Sequence, residues 1–243
     1  MQIFFKTDVG LVRSCNQDSC RYGNFSDSSA WSVVCDGMGG ANGGSVASSE
    51  AVDEISSVLC ENFKFEMSDD ELRELMESAV QSANGKVFAM SCEYENLRGM
   101  GTTVELAVIR DEKLHVVHAG DSRVYFIKGD EILQVTTDHS LVQQMVDRGQ
   151  ITPEEARVHP GKNFITRALG VEDTLEVDYL SHSFEKGSIA LMCSDGLSNY
   201  FEDKEILDII NRTPRERLAE EFVELAKERG GSNNITVAIL INE

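Results

Sequence analysis

Residues 31–40 read WSVVCDGMGG, an apolar stretch that runs directly into a carboxylate and then into a glycine-rich turn. A short apolar run bounded by a turn signal is typical of a buried strand. Asp36 ends this run, and a buried carboxylate is costly unless cations, hydrogen bonds or a raised pKa accommodate it. The stretch therefore predicts a core strand that delivers a carboxylate which other parts of the chain must stabilise.

The composition limits the classes of protein to which the chain can belong. The 243 residues are 41% hydrophobic, and 22 Lys and Arg stand against 42 Asp and Glu, for a formal net charge of −20. The length suits one large domain. So acidic a chain repels nucleic acid and anionic lipid, which argues against both as partners.

We expect this chain to have neither a targeting signal nor a zinc-binding CxxC pair. The chain has neither a long apolar run nor a basic, apolar leader, and its six cysteines form no CxxC pair. Cys35 and Cys193 fall within apolar strand patterns, where cysteine acts as a small hydrophobic residue. We therefore expect a reduced, cytoplasmic protein that is monomeric and has no structural zinc.

Periodicity predicts that strands and helices cluster along the chain. The strand patterns cover residues 2–8, 20–25, 31–35, 102–109, 114–120, 122–135, 175–183, 188–193 and 234–241, and the helical patterns cover 43–62, 69–93, 140–148, 203–211 and 214–229. Ser68 and Glu71 predict a capping box at the second long helix. This order favours layered sheets with helices outside them over strict βαβ alternation.

Acidic residues stand where apolar strand patterns end. Asp36, Asp121 and Asp195 each follow such a pattern, and Asp18 precedes another. A single aspartate of this kind is often only a turn former. Several that converge would repel one another without a cation between them, and hard oxygen ligands suit Mg²⁺ or Mn²⁺. The pattern therefore predicts a divalent metal site.

Two further residues fit such a site. Gly37 has no Cβ, so its backbone can turn and offer a carbonyl oxygen to a cation. Arg13 lies five residues before Asp18, and a guanidinium beside metal ions can bind a phosphate through two parallel hydrogen bonds. For an isolated arginine, an exposed or ion-paired structural role is the alternative.

Taken together, these motifs resemble those of the metal-dependent serine/threonine protein phosphatases of type 2C, in their compact bacterial form. The matching stretches follow the family's order and cover essentially the whole chain: TDVGLVRSCNQDS (7–19), VVCDGMGG (33–40), GMGTTVELAVI (99–109), HAGDSRVY (118–125), TTDHSLV (136–142), ITRALG (165–170), LMCSDGLSNY (191–200) and NITVAIL (234–240).

The resemblance implies an α+β fold, a four-layer sandwich in which helices flank two central antiparallel sheets. It also implies that residues 1–243 form a single phosphatase catalytic domain with a flap-like insertion at about 140–168. The expected reaction is hydrolysis of phosphoserine or phosphothreonine, by direct attack of a hydroxide that bridges two Mn²⁺ or Mg²⁺ ions. Phosphorylated proteins, such as a serine/threonine kinase or its substrates, are the implied partners.

The resemblance also implies a role for each candidate residue. Asp36 looks like the ligand that bridges both metals, with the Gly37 carbonyl on one metal and Asp195 on the other. Asp18, like Gln17, occupies a position that the family uses mostly through metal-bound water. Asp121 with Asp195 matches the site of a third, looser ion. Arg13 is similar to the arginine that grips the substrate phosphate.

The sequence departs from the family pattern at two points. The run GGSNNIT (230–236) has Asn233 where a metal-binding aspartate is expected, and the loss of one negative charge should weaken that metal. Met38 and Ala41 stand where relatives carry a histidine, so we assign no general acid. His139 and His159 lie in or near the flap, where a structural role is the simpler interpretation.

Three functions remain open at this point. An active phosphatase is favoured because Arg13 and all four aspartates are present. A catalytically weakened or inactive module that binds phosphoproteins is the alternative, because of Asn233. A two-metal nuclease or nucleotide phosphatase is the third, although the net charge of −20 argues against nucleic acid.

Overall fold

Two antiparallel sheets form the centre of the molecule in the computed structural model, which describes the whole chain apart from the side chains of residues 41 and 42. The first sheet has the strand order β1 (Gln2–Asp8), β11 (Ile235–Ile241), β10 (Ile189–Cys193), β7 (Arg123–Lys128) and β8 (Glu131–Gln134). The second has the order β2 (Asp18–Ser26), β3 (Ser29–Met38), β5 (Val104–Arg110), β6 (Lys113–Ala119) and β9 (Asp178–Ser183), with β4 (Gly101–Thr102) paired to the end of β3.

Helices cover the outer face of each sheet. Against the second sheet lie α1 (Gly40–Asn62) and α2 (Asp69–Glu93), and against the first lie α6 (Asp203–Arg212) and α7 (Leu218–Glu228). The short helices α3 (Leu141–Asp147), α4 (Pro153–Val158) and α5 (Asp195–Ser198) complete the set, together with 3₁₀ turns at Glu95–Leu97 and Arg215–Arg217. The four layers are those of the predicted fold class, which is confirmed.

Burial on both faces explains why the central strands read as continuous apolar runs. In β3, Val33 and Cys35 pack under α1 and α2, whereas Val34 points into the core between the sheets. The core between the sheets also contains Val116 and Leu240, so strands of both sheets meet there. The stretch that opened the sequence analysis is therefore a strand enclosed by a helix layer on one side and by a second sheet on the other.

Local signals fix several element boundaries. The Ser68 hydroxyl accepts from the Glu71 amide at 3.2 Å, and the Glu71 carboxylate accepts from the Ser68 amide at 2.7 Å, which confirms the capping box. Asp111 and Glu112 have φ of 52° and 56° and close the β5–β6 hairpin. Two positive φ values are typical of a type I′ turn, whose twist matches the paired strands.

The end of β3 differs from the prediction. The strand continues to Met38 rather than stopping at residue 35, so Asp36 and Gly37 lie within it. The extension occurs because Gly37 and Met38 pair with Thr102 and Gly101 of β4, a contact between segments distant in sequence. Hydrogen bonding to a remote segment leaves no signal in local periodicity.

The segment 140–168 leaves the body of the protein and returns at a narrow neck. Ser140 pairs with Ile165, and the Leu141 amide donates to the Phe164 carbonyl at 2.8 Å. Helices α3 and α4 lie within the segment. The assignment of the chain to one domain with a flap-like insertion stays a prediction. Within the described residues, no helix is long and apolar enough to cross a membrane.

The core beneath α7 generates a stability prediction. Phe222 is fully buried and meets Phe201 edge to face at 6.1 Å between ring centroids. Phe222→Ala should lower the free energy of unfolding by about 3–5 kcal/mol, because it leaves a cavity that neighbours cannot fill. Phe164, which is 66% exposed, offers the control, and Phe164→Ala should stay within about 0.5 kcal/mol of the wild type. Urea unfolding measures both, and equal losses would contradict the assigned core.

Candidate metal centre

One cavity of ≈ 460 Å³ collects most of the predicted site residues. It lies where β3, the loop after β6, the turn after β10 and the loop before β2 meet. Its lining includes Arg13, Gln17, Asp36, Gly37, Asp121, Asp195 and Asn233. Asp18 is buried with 6% exposure and is the cross-strand neighbour of Asp36. The fold thus brings all the predicted residues together from five separate parts of the chain, the fifth being the loop before β11 that carries Asn233.

Asp36 occupies the centre of the acidic cluster. Its surroundings raise its pKa well above the usual range, first through burial and then through repulsion by Asp18, Asp195 and Asp121. Asp18 is its cross-strand neighbour, and Asp195 lies near enough to add to the repulsion. Carboxylates held this close repel one another unless a proton or a cation lies between them, so the surroundings of Asp36 favour positive charge there.

Asp18 has one satisfied and one unsatisfied carboxylate oxygen. Its Oδ2 accepts from the Ser194 hydroxyl at 2.7 Å, whereas its buried Oδ1 has no hydrogen-bond partner. Burial raises its pKa to about 6. An orphaned buried carboxylate oxygen is costly, and water held by a cation would satisfy it.

Asp195 begins α5 and is held by two amides. The Asn233 Nδ2 donates to one of its oxygens at 2.6 Å and the Asn199 Nδ2 to the other at 3.1 Å. Burial raises the pKa of Asp195, while the Asn233 hydrogen bond opposes the rise and Arg13 opposes it electrostatically. A carboxylate only accepts hydrogen bonds, so its negative charge turns the nitrogen of the Asn233 amide toward it.

The predicted Asn233 position is therefore adjacent to Asp195, and its chemistry differs from that of an aspartate. An aspartate at position 233 would repel Asp195 and call for a cation between them. Asn233 instead neutralises part of the Asp195 charge by donating a hydrogen bond. The amide must rotate before its oxygen can bind a metal.

Asp121 and Gly37 complete the set of candidate ligands. Burial and the nearby Asp195 raise the pKa of Asp121. Asp121 and Asp195 also line a second cavity of ≈ 520 Å³, which extends under the segment 140–168. At Gly37 a Cβ would lie 2.0 Å from the Gly44 carbonyl oxygen, so only glycine fits there.

Three supporting residues were missed by sequence reasoning. The buried Asn234 donates to the Val9 and Cys15 carbonyls, each at 2.9 Å, and accepts from the Gln17 amide at 2.9 Å, which anchors the loop that carries Arg13. Thr103 and Ser194 likewise hold candidate site residues in place through hydrogen bonds. The Thr103 hydroxyl accepts from the Asp36 amide at 3.0 Å, and Ser194 binds Asp18. Each is a polar residue inside a matching motif, which was the available signal.

No histidine lines the cavity among the described residues. Met38 lines it, whereas the Ala41 side chain lies outside the described residues. The His139 ring accepts from the Gly120 amide, and the His159 ring accepts from the Gly161 amide, so both histidines have structural contacts.

The residues present fit divalent cations. Repulsion of Asp36 by three neighbouring carboxylates and a buried Asp18 oxygen without a hydrogen-bond partner both favour positive charge in this cavity. The described residues contain no group of three or more His, Cys, Asp or Glu that could enclose an ion unaided. The predicted ligand set has at most two carboxylates per ion, with backbone carbonyl, amide and water oxygens completing the shell, as hard cations accept.

Comparison with known proteins identifies the class that this fold and site define. The model of the family Protein phosphatase 2C matches residues 12–236. Protein phosphatase PhpP of Streptococcus pneumoniae is 37% identical over 241 residues, which cover 99% of this chain and 97% of that protein. The chain therefore belongs to the protein phosphatase 2C family.

Solved structures agree with this assignment. The S. agalactiae serine/threonine phosphatase has a TM-score of 0.92 and 32% identity, covering 100% of this chain and 99% of that one. The catalytic domain of the serine/threonine protein phosphatase PstP, in complex with two manganese ions, has a TM-score of 0.85 and 33% identity, covering 98% and 96%. The predicted family, fold class and enzyme class, a protein serine/threonine phosphatase, are confirmed.

The acidic cluster generates a prediction for the chelated protein. Asp36→Asn removes one carboxylate from the cluster, so it should raise Tm by about 2–4 °C at pH 7.5. The pKa of Asp36 in the folded state lies above the usual aspartate value of 3.8. The contribution of protonated Asp36 to stability is therefore fully present below pH 3.8 and is lost as the pH rises through the folded-state pKa. The chelated wild type should therefore lose stability toward alkaline pH more steeply than Asp36→Asn. Thermal unfolding across pH measures this.

The exposed Asp208 on α6 supplies the matched control. Asp208→Asn removes the same charge far from the cavity and should leave both Tm and its pH dependence close to those of the wild type. Mn²⁺ should raise the Tm of the wild type and of Asp208→Asn but leave Asp36→Asn unmoved. A Tm of Asp36→Asn below that of the wild type in chelator would contradict the repulsion assigned to the clustered carboxylates.

Proposed function

We propose that this protein hydrolyses phosphoserine and phosphothreonine in proteins with the aid of two divalent cations. The observation that carries the proposal is the convergence of Asp36 with Asp18, Asp121 and Asp195 around one cavity that Arg13 borders. A phosphate dianion would not approach this acidic cluster alone, so the cluster needs cations before it can receive a phosphoester.

The candidate ligands divide between two ions. Asp36 would bridge both, with the Gly37 carbonyl on one ion and Asp195 with Asn233 on the other. When bound, the two cations make water more acidic and neutralise charge during an in-line displacement at phosphorus. The similar PstP catalytic domain was solved in complex with two manganese ions, which supports the proposed number of ions. A third, more weakly bound ion would lie at Asp121 and Asp195, which both line the second cavity.

The side chains of this protein then bind and orient the substrate. The exposed Arg13 can donate two parallel hydrogen bonds to a phosphate at the cavity mouth. Asp18, fixed through the Ser194 hydroxyl, has its free oxygen available to accept from water and to orient it. No histidine among the described residues lines the cavity, so we propose water as the source of the proton for the departing serine or threonine oxygen.

A second candidate function follows from Asn233. The Asn233 amide donates to the Asp195 carboxylate at 2.6 Å. This hydrogen bond stabilises Asp195 without a metal ion and so opposes metal binding at the same carboxylate. An enzyme whose second ion binds weakly would turn over slowly while Arg13 still engaged phosphate. We therefore keep a weakly active or inactive phosphoprotein-binding module as the alternative.

The partners and location are inferred from the proposed reaction. A phosphoprotein substrate must be supplied by a reaction that attaches phosphate to serine or threonine, so a serine/threonine kinase or its substrates are the proposed partners. The described residues form no disulfide bond, and we propose a reducing compartment such as the cytoplasm. We propose that the protein acts there as a monomer.

Phosphate release from a phosphothreonine peptide across a Mn²⁺ titration tests the proposed function. Turnover should require Mn²⁺, disappear in chelator and saturate only at high Mn²⁺ concentration, because Asn233 supplies no charge. A nucleoside triphosphate should compete poorly with the peptide. No turnover by protein that binds the phosphopeptide would favour the binding module, and preferred hydrolysis of the nucleotide would overturn the proposal.

The Asn233→Asp variant tests the role of this residue without relying on turnover. The added charge should lower the Mn²⁺ concentration for half-maximal binding by about tenfold or more, and repulsion with Asp195 should lower Tm in chelator. Calorimetric titration and thermal unfolding measure the two effects. Asn211→Asp adds the same charge on the exposed face of α6 and should change neither. Equal Mn²⁺ affinity in the wild type and Asn233→Asp would contradict the weakened site.

A further inference from the structure

His139 lies at the point where the segment 140–168 joins the loop that carries Asp121. The His139 amide donates to the Gly120 carbonyl at 2.6 Å, and the Gly120 amide donates to the His139 Nδ1 at 3.2 Å. The Thr166 amide donates to the His139 carbonyl at 2.7 Å, where the segment returns. One residue therefore contacts both the neighbour of Asp121 and the end of the segment.

The contacts of the His139 ring define its protonation. Nδ1 accepts from a backbone N–H, so a neutral ring carries its proton on Nε2, which faces Asp178 at 3.2 Å. The Arg167 guanidinium lies 3.0 Å from the same Nε2 and donates to Asp178 at 2.8 Å. Burial, together with the nearby His118 and Arg167, lowers the pKa of His139. The ring is thus fixed at both nitrogens.

The buried pair of His118 and Glu105 packs against the His139 ring through His118. The His118 ring stacks on the His139 ring at 4.6 Å, and neither His118 nor Glu105 has an exposed side chain. His118 faces the Glu105 carboxylate at 2.9 Å on one side and the Thr137 carbonyl at 3.0 Å on the other. Burial lowers the pKa of His118, but its contacts with Glu105 and the Thr137 carbonyl outweigh burial and raise the pKa above its usual value.

Glu105 of this pair also contacts Thr103, which holds Ser122, the residue after Asp121. The Thr103 hydroxyl lies 2.9 Å from the Ser122 hydroxyl and 3.4 Å from the Glu105 carboxylate, and it accepts from the Asp36 amide. Asp121 is therefore bracketed: His139 holds the residue before it, and Thr103 holds the residue after it.

We propose that His139 is a positioning residue that couples the segment 140–168 to the Asp121 carboxylate. The connection runs through the paired His139 and Gly120 backbones and the contact of the Gly120 amide with Nδ1. This inference rests on the proposed function, since the functional importance of Asp121 depends on it. His139 does not line the catalytic cavity and touches neither substrate nor reacting atoms.

Amide hydrogen exchange of the full chain, in chelator, tests the coupling directly. His139→Ala should raise exchange in residues 119–123 and 164–168 by about tenfold, while β11 stays protected. In His139→Asn the amide oxygen replaces Nδ1 as the acceptor but the side chain does not reach Asp178. That variant should therefore restore protection of 119–123 and leave 164–168 exposed to exchange.

His159 supplies a matched control, because its Nδ1 also accepts a glycine amide, that of Gly161 at 3.0 Å. His159→Ala should speed exchange only around 159–164. With a phosphothreonine peptide and Mn²⁺, His139→Ala should lower kcat about tenfold with little change in KM, His139→Asn should recover most of it, and His159→Ala should match the wild type.

Two results would overturn the proposal. Unchanged exchange in residues 119–123 of His139→Ala would show that the ring does not hold the Asp121 loop. Equal acceleration in 119–123 and in β11 would show a general loss of stability instead of positioning. A wild-type protein without phosphatase activity would refute the proposed function, and the exchange measurement would still decide whether His139 couples the two segments.

Discussion

Repulsion among four carboxylates at one end of the sheets is the constraint on which the rest of the site depends. Burial raises the pKa values of Asp18, Asp36, Asp121 and Asp195, and each neighbour adds to the energetic cost of ionisation at Asp36. Ionisation of these buried, neighbouring carboxyls is therefore disfavoured, and positive charge would stabilise their ionised forms. The hydrogen bonds from Ser194, Thr103 and Asn234 therefore hold in place an arrangement that is unfavourable without cations.

The two-sheet sandwich is able to maintain this arrangement. Each central strand is packed on both faces, so the strand ends cannot shift without disturbing the core. Asp36 extends from β3, which is covered by α1 and α2, whereas Asp195 follows β10 of the other sheet. These two residues line one cavity where the two sheets meet, so a cation there would stabilise the fold as well as the reaction.

Asn233 shows how a single substitution changes the balance at such a centre. The family pattern would place a fifth carboxylate in the cluster, whereas this chain places an amide donor 2.6 Å from Asp195. The exchange lowers the electrostatic repulsion within the cluster and, under the proposed function, reduces the charge that would attract the second ion. Stability without metal and affinity for metal thus oppose each other at one position.

The sequence by itself determined the layers, the order of the strands and helices, and the identity of the acidic cluster. Apolar runs such as WSVVC, the Ser68 capping box and the motif order are local signals, and local signals survive in a linear sequence. Sequence reasoning missed contacts between distant segments. Only the tertiary structure showed the extension of β3 by β4, the amide of Asn233 turned toward Asp195, and the position of His139 between Asp121 and the segment 140–168. These depend on pairings across tens to hundreds of residues, which no local pattern encodes.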